Sequence, residues 1–204
     1  MYDLQDTAYL FVYKVDADKT DSLIRASVER YRRVRLEARD SSPLIIERTA
    51  KGKPYLKGQE GIGVSVTHSG AYCIIGVACC EIGIDLQSHD RLRNENAAKA
   101  RERYIKLSKR FFCPDEDAYV SLAPDTRFFE VWCAKESYVK YTGSGIDDSF
   151  RTVSVLPAGK IDRLDTWNAA DARFQIVAFD TGYTLCVCTA QPCEVRLVGC
   201  EASA

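Results

Sequence analysis

Histidine is nearly missing from this chain: His68 and His89 are the only two in 204 residues. With so few, and with nine cysteines that show no paired ligand spacing, a zinc site has little basis. The cysteine count is odd, and "CC" (79–80) and "CVC" (186–188) fall inside strand-like runs, so we read these residues as buried free thiols of a reducing, cytoplasmic compartment. Long hydrophobic runs are lacking too. The longest, "YCIIGVACC" (72–80), is far too short to cross a bilayer. The first residues, "MYDLQDTAYLFVYKVDADK", have neither a basic start nor a long apolar stretch, so no signal peptide is expected. Nor does one sign of charge dominate. Lys and Arg number 28 against 29 Asp and Glu, and a net charge of −1 gives no global field toward nucleic acid or membrane. What is present is ordinary globular composition, 46% hydrophobic and 28% charged, in a length that suits one large domain or two small lobes.

The patterning predicts mixed α and β structure. "AYLFVYKV" (8–15) reads as a buried strand. Thr20 reads as the N-cap of a helix running to about Arg39, with Ile24, Val28, Tyr31, Val34 and Ala38 as its apolar stripe and arginines over the rest of its surface. A short strand and a turn-rich loop around Gly52 and Pro54 follow in 41–58. Residues 61–87 read as three strands, jointed near Gly70 and Glu81. In the last of these, Ile82, Ile84 and Leu86 share one face while Gly83, Asp85 and Gln87 share the other, with Gly83 leaving open space beside the two polar groups. Three helices are expected next. One carries Ala97, Ala100, Tyr104, Leu107 and Phe111; one starts at Cys113-Pro114; one starts at Pro124-Asp125 and is capped by Gly143. "FRTVSVLP", "ARFQIVAFD" and "YTLCVCTAQ" read as antiparallel strands. "SGAYCIIGVAC" (69–79) echoes "DTGYTLCVCTA" (180–190), which hints at two similar α+β lobes divided between 88 and 100.

Several polar groups fit a plain core poorly. Asp85 on a strand's polar face is either a solvated carboxylate or, with Gln87 and a helical Glu136, part of a hard-oxygen site of the kind Mg²⁺ prefers. His68 and Ser69 before Gly70 are either a self-satisfied turn or donors to an anion. Lys53, fixed beside Pro54, is by itself an ordinary solvated lysine. Glu136 and Lys140, four apart on one helix, are either a surface ion pair contributing about 0.3 kcal/mol or two parts of a site. The Arg-rich helix faces at 30–39 and 101–110 are either solvated surface or basic flanks for an acidic partner; neither has the aromatic interleaving of a nucleic-acid binder.

In this order, "GKPYL" (52–56), "VSVTHSG" (64–70), "IGIDLQ" (82–87), "KRFFCPDE" (109–116) and "FFEVWCAKESYVKYTGSGI" (128–146) resemble one family, the 4'-phosphopantetheinyl transferases in their two-lobed, single-chain (Sfp-type) branch. The resemblance covers roughly 50–150. It implies an α+β fold of two pseudo-symmetric lobes, each a small antiparallel sheet packed with helices, at 1–95 and 96–204, with the site at their interface. It implies an enzyme, acting as a cytoplasmic monomer, that moves the phosphopantetheine arm of coenzyme A to a serine of an apo acyl or peptidyl carrier protein. That reaction depends on Mg²⁺, releases 3',5'-ADP and serves fatty-acid or secondary-metabolite synthesis. By position, Asp85, Glu136 and Gln87 would be the metal's residues, and Asp85, Glu136 and Lys140 the catalytic set. Lys53, His68, Ser69 and Lys140 would contact the nucleotide and phosphates, with Arg25 added by approximate placement alone. Glu116 belongs to a matching segment without an assigned role. Many members carry Glu where this chain has Gln87, one charge fewer, and the basic residues before 50 match poorly. The competing expectation is a non-catalytic coenzyme A or nucleotide-binding module on the same fold.

Overall fold

The computed structural model describes residues 7–14, 19–35, 43–89, 96–145, 149–158 and 164–200. The first strand, β1 (Thr7–Tyr13), leads into α1 (Thr20–Arg35), which begins within one residue of the expected cap. Ile24, Val28 and Tyr31 are buried against Tyr9, Phe11 and Tyr13. Val34 is not: it is 54% exposed, because the helix has by then run past the edge of the sheet it covers. Ala38 lies outside the described residues. β2 (Ile46–Arg48) and β3 (Pro54–Leu56) form a small antiparallel ribbon. β4 (Gly63–Ser69), β5 (Tyr72–Ala78) and β6 (Ile82–Ser88) are the three expected strands of the β block.

The expected helices follow as α2 (Ala97–Phe111), α3 (Pro114–Leu122) and α4 (Pro124–Thr142). Each starts by a local rule. The Asn96 side chain accepts from Ala98 N at 2.9 Å, and proline opens both α3 and α4, where a missing N–H costs nothing. Gly143 ends α4 in the left-handed region at φ 70°, its N–H bonded to the Val139 carbonyl. "FRTVSVLP" departs from expectation. Its start is a single helical turn, α5 (Ser149–Thr152), and the rest is irregular. The Val153 carbonyl accepts from Lys135 Nζ and the Val155 N–H donates to Glu116, so side chains have taken the groups a strand ladder needs. β7 (Thr166–Ala169), β8 (Ala172–Val177), β9 (Tyr183–Thr189) and β10 (Glu194–Cys200) complete the described chain; β7 and β10 were not anticipated.

Two four-stranded sheets organise the molecule, in the orders β10-β1-β5-β4 and β6-β9-β8-β7. All pairings are antiparallel except β1 with β10. The division expected at 95/96 follows chain order, and two strands cross it: β6 pairs with β9 in the second sheet, and β10 returns to pair with β1 in the first. The repeated motif lands on equivalent places, since β5 and β9 are both interior strands. Their leading tyrosines, Tyr72 and Tyr183, meet edge to face at 5.1 Å. Leu10 and Ile74 from one sheet and Ile84, Leu86 and Leu185 from the other form a fully buried layer. The sheets therefore share an apolar core, and β6 lies along the seam.

Candidate active site

The site begins with a close approach. A Cβ on Gly83 would fall 1.9 Å from the Ser137 carbonyl oxygen and 2.4 Å from Tyr141 N. The space that the alternating pattern of β6 leaves beside Gly83 is thus filled by the backbone of α4. Any larger residue would push helix and strand apart. The same contact buries Asp85, two residues on along the same face, to 3% exposure; the polar face of β6 looks at a helix and not at water.

Asp85 is held from three sides. Oδ1 accepts from Thr67 Oγ1 at 3.2 Å and from Lys140 Nζ at 2.7 Å, and Oδ2 accepts from Gln87 Nε2 at 2.9 Å. Glu136 is different. Among the described residues its carboxylate has no hydrogen-bond or ion-pair partner. Burial first, then the charge of Asp85, pushes its pKa above the ordinary glutamate value, against a smaller opposing effect of Lys140. Of the two alternatives for Glu136 and Lys140, the i,i+4 surface pair does not form: Lys140 reaches across to Asp85, and both helix residues line a cleft of 390 Å³.

The far wall of that cleft is basic. Lys51, Lys53, Arg48 and His68 line it, closed at one end by Gly143 and Gly145. Lys53 Nζ pairs with Glu81 and donates to the Tyr141 carbonyl at 2.7 Å, which pins the "KGK" loop to the C-terminal end of α4. Lys53, His68, Glu136 and Lys140 therefore line one cleft. Ser69 and Gln87 lie elsewhere, lining a neighbouring 510 Å³ pocket with Arg103, Phe128, Phe129 and Trp132. The two cavities adjoin: His68 and Ser69, consecutive on β4, line one each, as do Glu136 and Trp132, about one helical turn apart. Arg25 is exposed on α1, donates to the Leu44 carbonyl at 2.8 Å, and is not among the residues lining the cleft.

Arg48 and Lys51 are cleft residues that sequence reasoning passed over. The signal was there, since both sit within five residues of Lys53; the β2–β3 ribbon sets them beside the cleft, where both stay exposed and Arg48 also pairs with Asp21 at 2.5 Å. Glu116 has a clear place. Fully buried, it accepts two bonds from Lys135 Nζ (2.9 and 2.8 Å), one from Cys113 N and one from Val155 N. It fastens α3, α4 and the 153–155 segment together and reaches neither cavity.

A divalent cation suits this donor set. The charges of Asp85 and Lys140 both act on Glu136, only Asp85 is paired with the lysine, and among the described residues Glu136 has no donor, so positive charge is in deficit. Among the described residues no three His, Cys, Asp or Glu side chains gather into a ready cage. Two carboxylates are what Mg²⁺ uses when substrate phosphates and waters supply the other ligands. The Gln87 amide is the third neighbour; as placed it presents its nitrogen to Asp85, so an oxygen toward a cation requires the opposite amide orientation.

Residues 81–188 match the family model of the 4'-phosphopantetheinyl transferase superfamily, a span containing the whole of β6 and α4 and all of β9 but its last residue. A 4'-phosphopantetheinyl transferase of Bacillus subtilis is 28% identical over 193 residues, 89% of this chain and 78% of that protein. One of Bacillus pumilus, psf-1, is 25% identical over 98% of this chain and 84% of its own length. A putative member from Synechocystis is 37% identical over 110 residues, covering 50% of this chain and 41% of the relative. A close-packed glycine seats an acidic strand under an acidic and basic helix within the matched span, and the chain belongs to the 4'-phosphopantetheinyl transferase superfamily.

Proposed function

We propose that this protein transfers the 4'-phosphopantetheine arm of coenzyme A to a serine of an apo acyl or peptidyl carrier protein, with Mg²⁺, releasing 3',5'-ADP. The observation that carries the reading is the 2.7 Å contact between Lys140 and the buried Asp85, with Lys140 and Glu136 lining a cleft that Arg48, Lys51 and Lys53 also line. Those cations suit a nucleotide bearing several phosphates, and His68 adds a donor on the same wall. The adjoining aromatic pocket suits the uncharged arm. Lys140 has two protons beyond the one it gives Asp85, and these are available to pyrophosphate oxygens.

In the transfer, the serine oxygen forms a bond to the phosphorus carrying pantetheine. The bond from that phosphorus to the bridging oxygen breaks, and 3',5'-ADP leaves with the electron pair. Such reactions are governed by positioning and charge neutralisation. Glu136, which lines the cleft beside Lys140, takes the serine proton. Asp85 and Glu136, with the Gln87 amide beside them, would hold Mg²⁺, which would supply Lewis-acid neutralisation of phosphate oxygens. Asp85 stays fixed by Thr67 and Gln87 throughout.

Two further expectations stand as proposals. Eight described cysteines are all free, five of them buried, which fits a reducing cytoplasm, and the chain acts as a monomer. No helix among the described residues is long and apolar enough to cross a membrane. The deciding experiment is mass spectrometry of apo carrier proteins incubated with the protein, coenzyme A and Mg²⁺. The arm's mass increment on the carrier serine is expected. Coenzyme A binding with no carrier modified would instead favour the non-catalytic binding module, to which the Gln87–Asp85 contact also lends itself.

A further inference from the structure

β4 and β6 are edge strands of different sheets, and they run side by side without sharing a backbone ladder. What joins them is a row of hydroxyls. Ser65 Oγ accepts from Ile84 N at 3.0 Å, Thr67 Oγ1 from Leu86 N at 3.0 Å, and Ser69 Oγ from Ser88 N at 2.8 Å. Alternate residues of β4 face alternate amides of β6 at a constant offset, so side chains do the work of a strand pairing across the seam between the two sheets. A hydroxyl that accepts from an N–H still has its own proton to give. At the middle rung that proton goes to the site: Thr67 Oγ1 lies 3.2 Å from Asp85 Oδ1, and both residues are buried.

We propose that Thr67 is a positioning residue for the transfer reaction. Its hydroxyl, polarised by the Leu86 amide, fixes the Asp85 carboxylate in the orientation that meets Glu136 across the metal position. The two outer rungs hold the lobes in the register that makes this meeting possible. The inference rests on the reading of Asp85 as a metal residue given above. The geometry separates the roles of the three donors on Asp85. Lys140 is half-buried on the cleft and has phosphates to serve, whereas Thr67 touches neither cavity and has no competing acceptor. Its one function at the site is orientation. Ser69, expected to contact the nucleotide, is by the same token a rung of the seam.

The test compares Thr67→Val, which keeps the shape and removes the hydroxyl, with Thr67→Ser, which keeps the hydroxyl. Mn²⁺ affinity is read by electron paramagnetic resonance without carrier or turnover, beside kcat and the KM for coenzyme A. We expect Thr67→Val to weaken Mn²⁺ binding and lower kcat by about tenfold or more, as partners of metal-binding side chains do, with KM changed less than about twofold. Thr67→Ser should recover both to within about threefold. Should the valine variant not fold, Thr67→Cys takes its place, since it matches Ser in shape but offers only a weak thiol donor. Equal Mn²⁺ affinity and kcat in the valine or cysteine variant and the parent overturn the inference, as does a loss that Thr67→Ser fails to restore. A parent protein that binds no Mn²⁺ sinks the metal reading and this inference together; binding that is indifferent to position 67 sinks this inference alone.

Discussion

Helix α4 carries two lysines paired with carboxylates from other elements, and the two pairs are built in opposite ways. Lys135 and Glu116 are 2% and 0% exposed, and every proton of the ammonium is spent, on both Glu116 oxygens and the Val153 carbonyl. Lys140 and Asp85 make a single 2.7 Å contact, with the lysine 28% exposed at a cleft and a partnerless Glu136 beside it. One pair is closed and the other open. A closed pair holds elements together and has nothing left to offer a ligand. An open pair has donors and charge in hand, which is what a site for phosphates needs. Spacing along the helix does not separate them; the count of satisfied protons does.

The comparison can be broken by substitution. The largest effect is expected from Asp85→Asn and Glu136→Gln, each of which should lower transfer to a carrier protein by about 10³-fold or more, by mass spectrometry, while circular dichroism stays unchanged. Lys135→Met should act on the fold instead. It leaves Glu116 charged and buried without its cation, and urea unfolding should show a loss of about 3–5 kcal/mol. Lys140→Met should fall mainly on activity, costing about 100-fold in transfer; it leaves Asp85 buried without a cation but still bonded to Thr67 and Gln87, so the loss in the same unfolding assay should be smaller than for Lys135→Met. Like behaviour of the two lysine variants would erase the distinction between closed and open pairs.

The smallest effect concerns Glu136 in metal-free protein. A carboxyl whose folded pKa is raised favours the folded state below its unfolded value and gives that stability up as pH rises through the folded value. Chelated protein at neutral pH therefore carries a penalty that Glu136→Gln removes. The variant's thermal midpoint should lie above the parent's at pH 7, by no more than about 4 °C, and the difference should vanish toward pH 4. A lower midpoint at pH 7 would show Glu136 to be stabilising there.

Much of this arrangement was legible in the residues. The alternation of "IGIDLQ" identifies which side chains share a face, and the capping signals at Pro114, Pro124 and Gly143 set the helices in place. Periodicity does not say what covers a face. The side of β6 bearing Gly83 and Asp85 reads as exposed because its residues are small or polar, and only the packed structure brings α4 onto it. Nor does local pattern report long-range pairing. Strand character in "IGIDLQ" cannot reveal that its ladder partner is β9, and "FRTVSVLP" has strand composition but loses its backbone groups to Glu116 and Lys135. Arg48 and Lys51 were missed because a basic residue in a loop looks the same facing water or a cleft.

The parallel pairing of β1 with β10 bears on how the chain must be made. β1 is made well before β10 and waits for it before its sheet is closed on that side, and β6 waits likewise for β9. A nascent or truncated chain thus holds Asp85 on a strand without a ladder, long before any catalytic groove exists. Loss of β10 alone would reach back to β1, so a late strand acts as the clasp that finishes an early sheet.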